Sequence, residues 1–155
     1  MKGDIKVIEV LNSLLADELT AVSQYMVHAA VCENWGYGKL HKTIEKRAID
    51  EMKHAEKHIA RILFLEGMPV VSELNKLHIG EGVEAHHKND WEAENGAIKA
   101  YNEAIKLTVE VGDNGTREML ESILKDEEEH IDWIEAQQEQ IRQMSIQVYL
   151  SEQIS

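Results

Sequence analysis

Apolar residues recur at three- and four-residue steps through four long stretches of the chain, the period of an α-helix with one buried face. The first stretch runs from about Asp4 to Asn34, with Ile8, Leu11, Leu15, Val22, Met26 and Ala29 in register. The second runs from about Lys39 to Glu66 (Leu40, Ile44, Ala48, Ala55, Ile59, Ile62), the third from about Val83 to Val111 (Trp91, Ile98, Tyr101, Ile105, Thr108). The fourth runs from about Thr116 to Met144 (Leu120, Ile123, Ile131, Ile134, Ile141), and the tail from Ser145 to Ile154 has room for one or two further helical turns. The breaks carry stop signals: Gly36 and Gly38, then Gly67 with Pro69, then Gly112-Asp113-Asn114-Gly115. Two of the connections are short and one, Met68 to Gly82, is long. Short connections make helical hairpins, and one long crossover between two hairpins predicts an all-α, four-helix bundle of the ferritin-like kind with a short C-terminal fifth helix.

Composition agrees with this plan. The 155 residues hold only nine glycines and one proline, too few turn formers for a many-stranded β fold, and suit a single domain over residues 1–155. One cysteine, Cys32, excludes an internal disulfide and any Cys-x-x-Cys metal site, reads as a small buried hydrophobe, and points to a reducing compartment such as the cytoplasm. The charged N-terminal stretch does not read as a signal peptide, and no apolar run is long enough to span a membrane. The net charge of −13 makes nucleic acid and anionic membrane surfaces poor partners and suits cations.

An internal repeat locates the chemistry. Asp50-Glu51-Met52-Lys53-His54 matches Asp126-Glu127-Glu128-Glu129-His130 at an offset of 76, and Glu18, Ala21 and Tyr25 match Glu94, Ala97 and Tyr101 at the same offset. The two hairpins therefore look like copies about a pseudo-two-fold axis. Glu18, Glu51, Glu94 and Glu127 each fall on the apolar stripe of their helix, and His54 and His130 follow one turn after a glutamate. Four buried carboxylates without cations would cost several kcal/mol each in desolvation, and no Lys or Arg shares their stripe at that level. Two divalent cations balance four carboxylates, and oxygen with imidazole donors suits iron, manganese or zinc. A Glu from each of two helices and Glu-x-x-His from each of the other two is the ligand pattern of di-iron carboxylate bundles.

With these residues in place the chain resembles the bacterioferritin family along its whole length. The shared segments include MKGD at the start, Gln24-Tyr25, Asn34-Trp35-Gly36, IDEMKHAEK from Ile49, RILFLEGMP from Arg61, KLHIGE from Lys76 and DEEEHIDWIE from Asp126. The resemblance implies iron storage in a hollow homo-oligomer of 24 subunits, with a shell mixed with a second subunit type as the alternative. It implies a ferroxidase centre of two iron ions per subunit, with Glu18 and His54 on one iron, Glu94 and His130 on the other, and Glu51 and Glu127 bridging. Fe(II) would be oxidised there by O2 or H2O2. It further implies a haem b shared between two subunits through Met52, a residue that on its own reads as packing filler, and a small ferredoxin as electron donor for iron release. Tyr25 is either a buried phenol with a satisfied hydroxyl or, by the resemblance, an electron donor beside the irons. Trp133 reads as packing or a secondary radical site, and Asn34, Glu66 and Asp132 match pore-lining residues. The family carries a histidine four residues before the aspartate at Asp50; here that residue is Lys46, which weakens any inner-surface iron site. His58 reads as peripheral, and His86 and His87 as exposed. Two rival readings are a non-storage di-iron oxidase or peroxidase of the rubrerythrin kind, and a structural shell subunit whose site stays empty or holds zinc.

Overall fold

The computed structural model describes all 155 residues. It contains five helices and no strand: α1 (Ile5–Asn34), α2 (Gly38–Phe64), α3 (Val83–Glu110), α4 (Asn114–Met144) and α5 (Ile146–Ser151). The expected four-helix bundle with one long crossover and a short fifth helix is thus what the chain forms. No helix is long and apolar enough to cross a membrane.

Local chemistry sets the ends. The Asp4 carboxylate accepts from the Lys6 amide at 2.8 Å and starts α1, and Asp113 caps α4 through the Thr116 amide at 3.0 Å. Arg61 of α2 reaches the same corner, donating to Thr116 Oγ1 and to Asp113 Oδ1, so one cap also ties the two hairpins together. The second helix stops two residues earlier than its pattern suggests. Glu66, not Gly67, takes the left-handed conformation (φ 64°), and Gly67 is needed for a different reason: a Cβ there would lie 2.7 Å from Ile8 Cγ2.

α1 packs along α2 and α3 along α4; α1 also meets α3, and α2 meets α4. The crossover runs back along α1 on a ladder of hydrogen bonds. Asn12 holds Met68 O and the Val70 amide, Thr20 Oγ1 accepts from the Asn75 amide, and Gln24 Oε1 accepts from the His78 amide. The core is split into two apolar clusters. One surrounds Leu11, Leu15, Ile62, Leu120 and Ile123; the other surrounds Ala29, Cys32, Leu40, Ile44 and Tyr149. Fully burying such aliphatic side chains contributes about 1.5–3 kcal/mol each. Between the clusters lies a layer of polar side chains contributed by all four long helices.

Met26 departs from the predicted stripe and is exposed. The buried face at the end of α1 runs through Tyr25, His28, Ala29 and Cys32, and Met26 falls one position to its side. Cys32 is buried, as expected of a small hydrophobe.

Candidate metal centre

The polar layer brings together the six residues singled out by the repeat. Glu18, Glu51, His54 and Glu127 form one group able to hold a cation, and Glu51, Glu94, Glu127 and His130 form a second, with the donor atoms of each group within 4.8 Å of one another. Glu51 and Glu127 belong to both. The four glutamates and His54 are buried, and His130 is 12% exposed at its side chain.

Each histidine turns Nδ1 inward. His54 Nδ1 lies 3.0 Å from Glu127 Oε1 and 3.6 Å from both Glu18 Oε2 and Glu51 Oε2. His130 Nδ1 lies 2.9 Å from Glu51 Oε1 and 3.4 Å from Glu94 Oε1. The outward nitrogens are held crosswise: His54 Nε2 lies 2.9 Å from Asp126 Oδ2, and His130 Nε2 lies 3.2 Å from Asp50 Oδ2. The aspartate of each Asp-Glu-x-x-His copy therefore orients the histidine of the other copy, the arrangement that fixes tautomer and ring direction in metal sites. Asp50 is also within 3.6 Å of Lys46 Nζ.

One inward atom of each of the six residues is buried without a hydrogen-bond partner: Glu18 Oε2, Glu51 Oε1, His54 Nδ1, Glu94 Oε2, Glu127 Oε1 and His130 Nδ1. These contacts are short but out of line for hydrogen bonding. Unsatisfied buried groups are rare in folded proteins, and six on six converging donors fit a pair of cations between them.

Without cations the layer holds protons more tightly than free side chains do. Burial, then the neighbouring Glu51 charge, raises Glu18 and Glu127 well above the ordinary carboxylate range. Burial would raise Glu51 too, but contacts with Glu18 and the two imidazoles hold it well below that range. Burial opposes charge on the histidines, yet the glutamate oxygens around His54 raise it far above an ordinary imidazole, and Glu51 and Glu94 raise His130 to about 10. In the cation-free layer proton affinity is thus raised at Glu18, Glu127, His54 and His130. All four groups bind protons more tightly folded than unfolded. Their contribution is complete below the unfolded values and is lost as pH rises through the folded ones. The melting temperature of chelator-treated protein should therefore fall between pH 6.5 and 10, while saturating divalent cation should abolish that fall. Calorimetry across that range checks this; equal pH slopes with and without cation would contradict it.

Two openings reach the layer. A cavity of about 360 Å3 leads in between α1, α3 and the crossover past Asp17, Asn75 and Glu92, and one of about 320 Å3 opens beside Asp50, Asp126 and His130.

Two phenols touch the acids. Tyr25 Oη donates to Glu94 Oε1 at 2.6 Å, and Tyr101 Oη donates to Glu18 Oε1. The Arg47 guanidinium stands 4.3 Å from the Tyr25 ring centroid and 5.6 Å from that of Trp133, and donates to Asp90 Oδ2 at 2.6 Å. Arg47 is a correction to the expected absence of cations near the acids: it is buried one turn before Glu51, with its charge matched by Asp90. Asp90 also accepts from Gln24 and His28. Burial raises Asp90, but these donors win and hold it below its ordinary value.

Three histidines depart from expectation. His58 is fully buried with Nε2 2.6 Å from Tyr101 Oη, so it is not peripheral. His86 and His87 are buried at 1% and 0% rather than exposed. His86 stacks between His28 and Trp35, and His87 Nε2 donates to Tyr149 Oη, which itself donates to Gln137. What covers them is α5 and the end of α1, distant in sequence. Met52 is 44% exposed and fills no core space, so the packing-filler reading does not hold. Asn34, Glu66 and Asp132 lie on the surface.

The ferritin-like domain model matches residues 8–144. A bacterioferritin of Rhodobacter capsulatus is 49% identical over 137 residues, covering 88% of this chain and 85% of the relative. A bacterioferritin of Brucella melitensis biotype 1 is 40% identical over the same shares. One from Mycolicibacterium paratuberculosis is 36% identical over 155 residues, the whole of this chain and 98% of the relative.

Proposed function

The chain belongs to the bacterioferritin family, and from that premise we propose that it is a ferroxidase that oxidises Fe(II) in pairs and stores the product as ferric mineral inside a hollow oligomer. The observation that carries this reading is the pair of buried ligand groups sharing Glu51 and Glu127. Two adjacent sites with common carboxylates hold two substrate ions together, so two electrons leave in one event for O2 or H2O2. Glu18 and His54 serve one ion, Glu94 and His130 the other, and the shared glutamates bridge. Hard carboxylate donors favour Fe(III) over Fe(II), which pulls the reaction forward.

The protein's own work is to release protons and hold geometry. Fe(II) binding displaces protons from the layer and leaves the carboxylates ionised as donors. Asp126 and Asp50 keep the imidazoles aimed while this happens. Tyr25 fixes Glu94 and acts as an electron donor beside the irons, with Trp133 behind Arg47 as a secondary one. The two openings supply separate ways in for Fe(II) and out for Fe(III). Asn34, Glu66 and Asp132 line pores through the shell. Lys46 and His130 occupy Asp50, which leaves little of it for an inner-surface iron.

Haem fits the outside of the α1–α2 hairpin. Met52 offers a soft thioether there, with Ile49 and Met26 also exposed on that hairpin. A second subunit would supply the other Met52. Bound haem b would pass electrons from a small ferredoxin toward the mineral for iron release. The assembly operates in the cytoplasm.

The test is aerobic loading with excess Fe(II), gel filtration, and a count of soluble ferric ions per chain. Retention far above two in a large particle is the expected result. Retention of two or fewer in a small oligomer would replace storage with a rubrerythrin-like enzyme, and no Fe(III) formation would leave a structural subunit. In the same preparation Met52→Leu should lose the haem absorbance and keep fast oxidation; retained haem with lost oxidation would contradict the division of labour.

A further inference from the structure

The pseudo-two-fold that duplicates the acids duplicates a phenol as well, and the two copies differ in what stands behind them. Tyr25, hydrogen-bonded to Glu94, has the Arg47 guanidinium over its ring. Tyr101, hydrogen-bonded to Glu18, has an imidazole: His58 Nε2 is 2.6 Å from the phenol oxygen, with the rings stacked at 5.8 Å. Tyr101 and His58 are 1% and 0% exposed, and His58 Nδ1 has no partner in the protein.

A phenol that loses an electron becomes a strong acid, so its oxidation in a dry interior needs a base within hydrogen-bond reach. At Tyr25 only the Glu94 carboxylate can take that proton, since guanidinium is a donor only, whereas Tyr101 has a neutral imidazole in reach as well. Burial keeps His58 neutral, with its pKa pushed down to about 3. A cation on Glu18 makes that carboxylate a poor base, so the phenolic proton turns from Glu18 Oε1 to His58 Nε2, which accepts it in the neutral tautomer that carries its own proton on Nδ1. His58 is the remaining group touching the phenol oxygen.

We infer that Tyr101 is a one-electron donor to the paired-metal centre, oxidised to a tyrosyl radical as its phenolic proton passes to His58 Nε2. The inference rests on the ferroxidase reading above. Dioxygen takes four electrons and four protons to form two waters. Two Fe(II) at the centre supply two electrons, Tyr101 the third and a further Fe(II) the fourth, with the four protons from solvent. The proton held on His58 returns to Tyr101 when another Fe(II) reduces the radical. Tyr101 thereby lets one centre finish dioxygen reduction before it is refilled.

The test is freeze-quench electron paramagnetic resonance. Anaerobic protein loaded with three Fe(II) per chain is mixed with oxygenated buffer and frozen at millisecond intervals, with Fe(III) followed by absorbance. In a Tyr25→Phe background a tyrosyl signal should persist, and it should narrow when the tyrosines are ring-deuterated. It should vanish in Tyr25→Phe/Tyr101→Phe. With His58→Gln in the Tyr25→Phe background it should fall at least about tenfold. Circular dichroism confirms that each variant is folded. Fe(III) formation in Tyr25→Phe without any tyrosyl signal, or a signal that survives Tyr101→Phe, overturns the assignment. No Fe(III) formation in the unsubstituted chain would overturn the ferroxidase reading itself, and the assignment with it.

Discussion

Glu127→Gln and Glu51→Gln should slow Fe(II) oxidation alike and affect the cation-free fold differently. Both residues belong to both ligand groups, so either change removes a donor from each ion at once. Loss of an outer hydrogen-bond partner of a metal ligand typically costs 10–100-fold, so loss of a shared donor should exceed about 100-fold in oxidation rate. The fold responds to which form the carboxyl takes without metal. Burial and the Glu51 charge favour the protonated form of Glu127, and glutamine closely copies a protonated glutamate. Its melting temperature in chelator should barely move. Glu51 is held ionised against its burial, with His130 Nδ1 at 2.9 Å and His54 Nδ1 at 3.6 Å. Glutamine there removes the charge those imidazoles face, at a cost of about 1–3 kcal/mol. For a domain of this size that is a fall of roughly 2–12 °C. Calorimetry in chelator and stopped-flow absorbance after Fe(II) addition check both halves. Fast oxidation in either variant would remove the shared-ligand assignment, and equal melting shifts would contradict the proton distribution.

Asp126→Ala should weaken cation binding by about 10–100-fold although Asp126 is not placed on either ion. Its Oδ2 is 2.9 Å from His54 Nε2, and that contact holds Nδ1 toward the glutamates. Without it the ring is free to change tautomer and tilt. Asp50→Ala should do the same to His130 but by a smaller factor. The Asp50 contact is longer, 3.2 Å, and Asp50 divides its charge between His130 and Lys46. Binding of a redox-inert cation such as Zn(II), followed calorimetrically, separates affinity from turnover. Unchanged affinity in Asp126→Ala would mean that His54 is aimed by packing alone.

The helices, their order and the convergence of six donors were legible because they depend on periodicity and on a repeat written in polar residues. The same repeat also contained more than was read from it. Asp50 and Asp126 match at the offset of 76, and their crosswise grip on the opposite histidines is the structural content of that match. Tyr101 likewise matches Tyr25, but on an apolar stripe it reads as core. Arg47, Asp90 and His28 were not legible, since each looks like an ordinary polar helix residue until its partner on another helix is known. The burial of His86 and His87 depends on α5, whose docking nothing near residues 86 and 87 announces. Met26 shows the converse limit: three- and four-residue steps leave a choice of one position, and the buried residue there is Tyr25, not Met26.

The central claim is that two cations sit side by side in one chain and share Glu51 and Glu127. Anomalous diffraction at the iron absorption edge, from crystals loaded anaerobically with Fe(II), tests it most directly. The account predicts two iron peaks per chain, roughly 3.5–4 Å apart, with Glu51 and Glu127 between them, His54 on one and His130 on the other. A single peak, or iron bound away from these six residues, would contradict it.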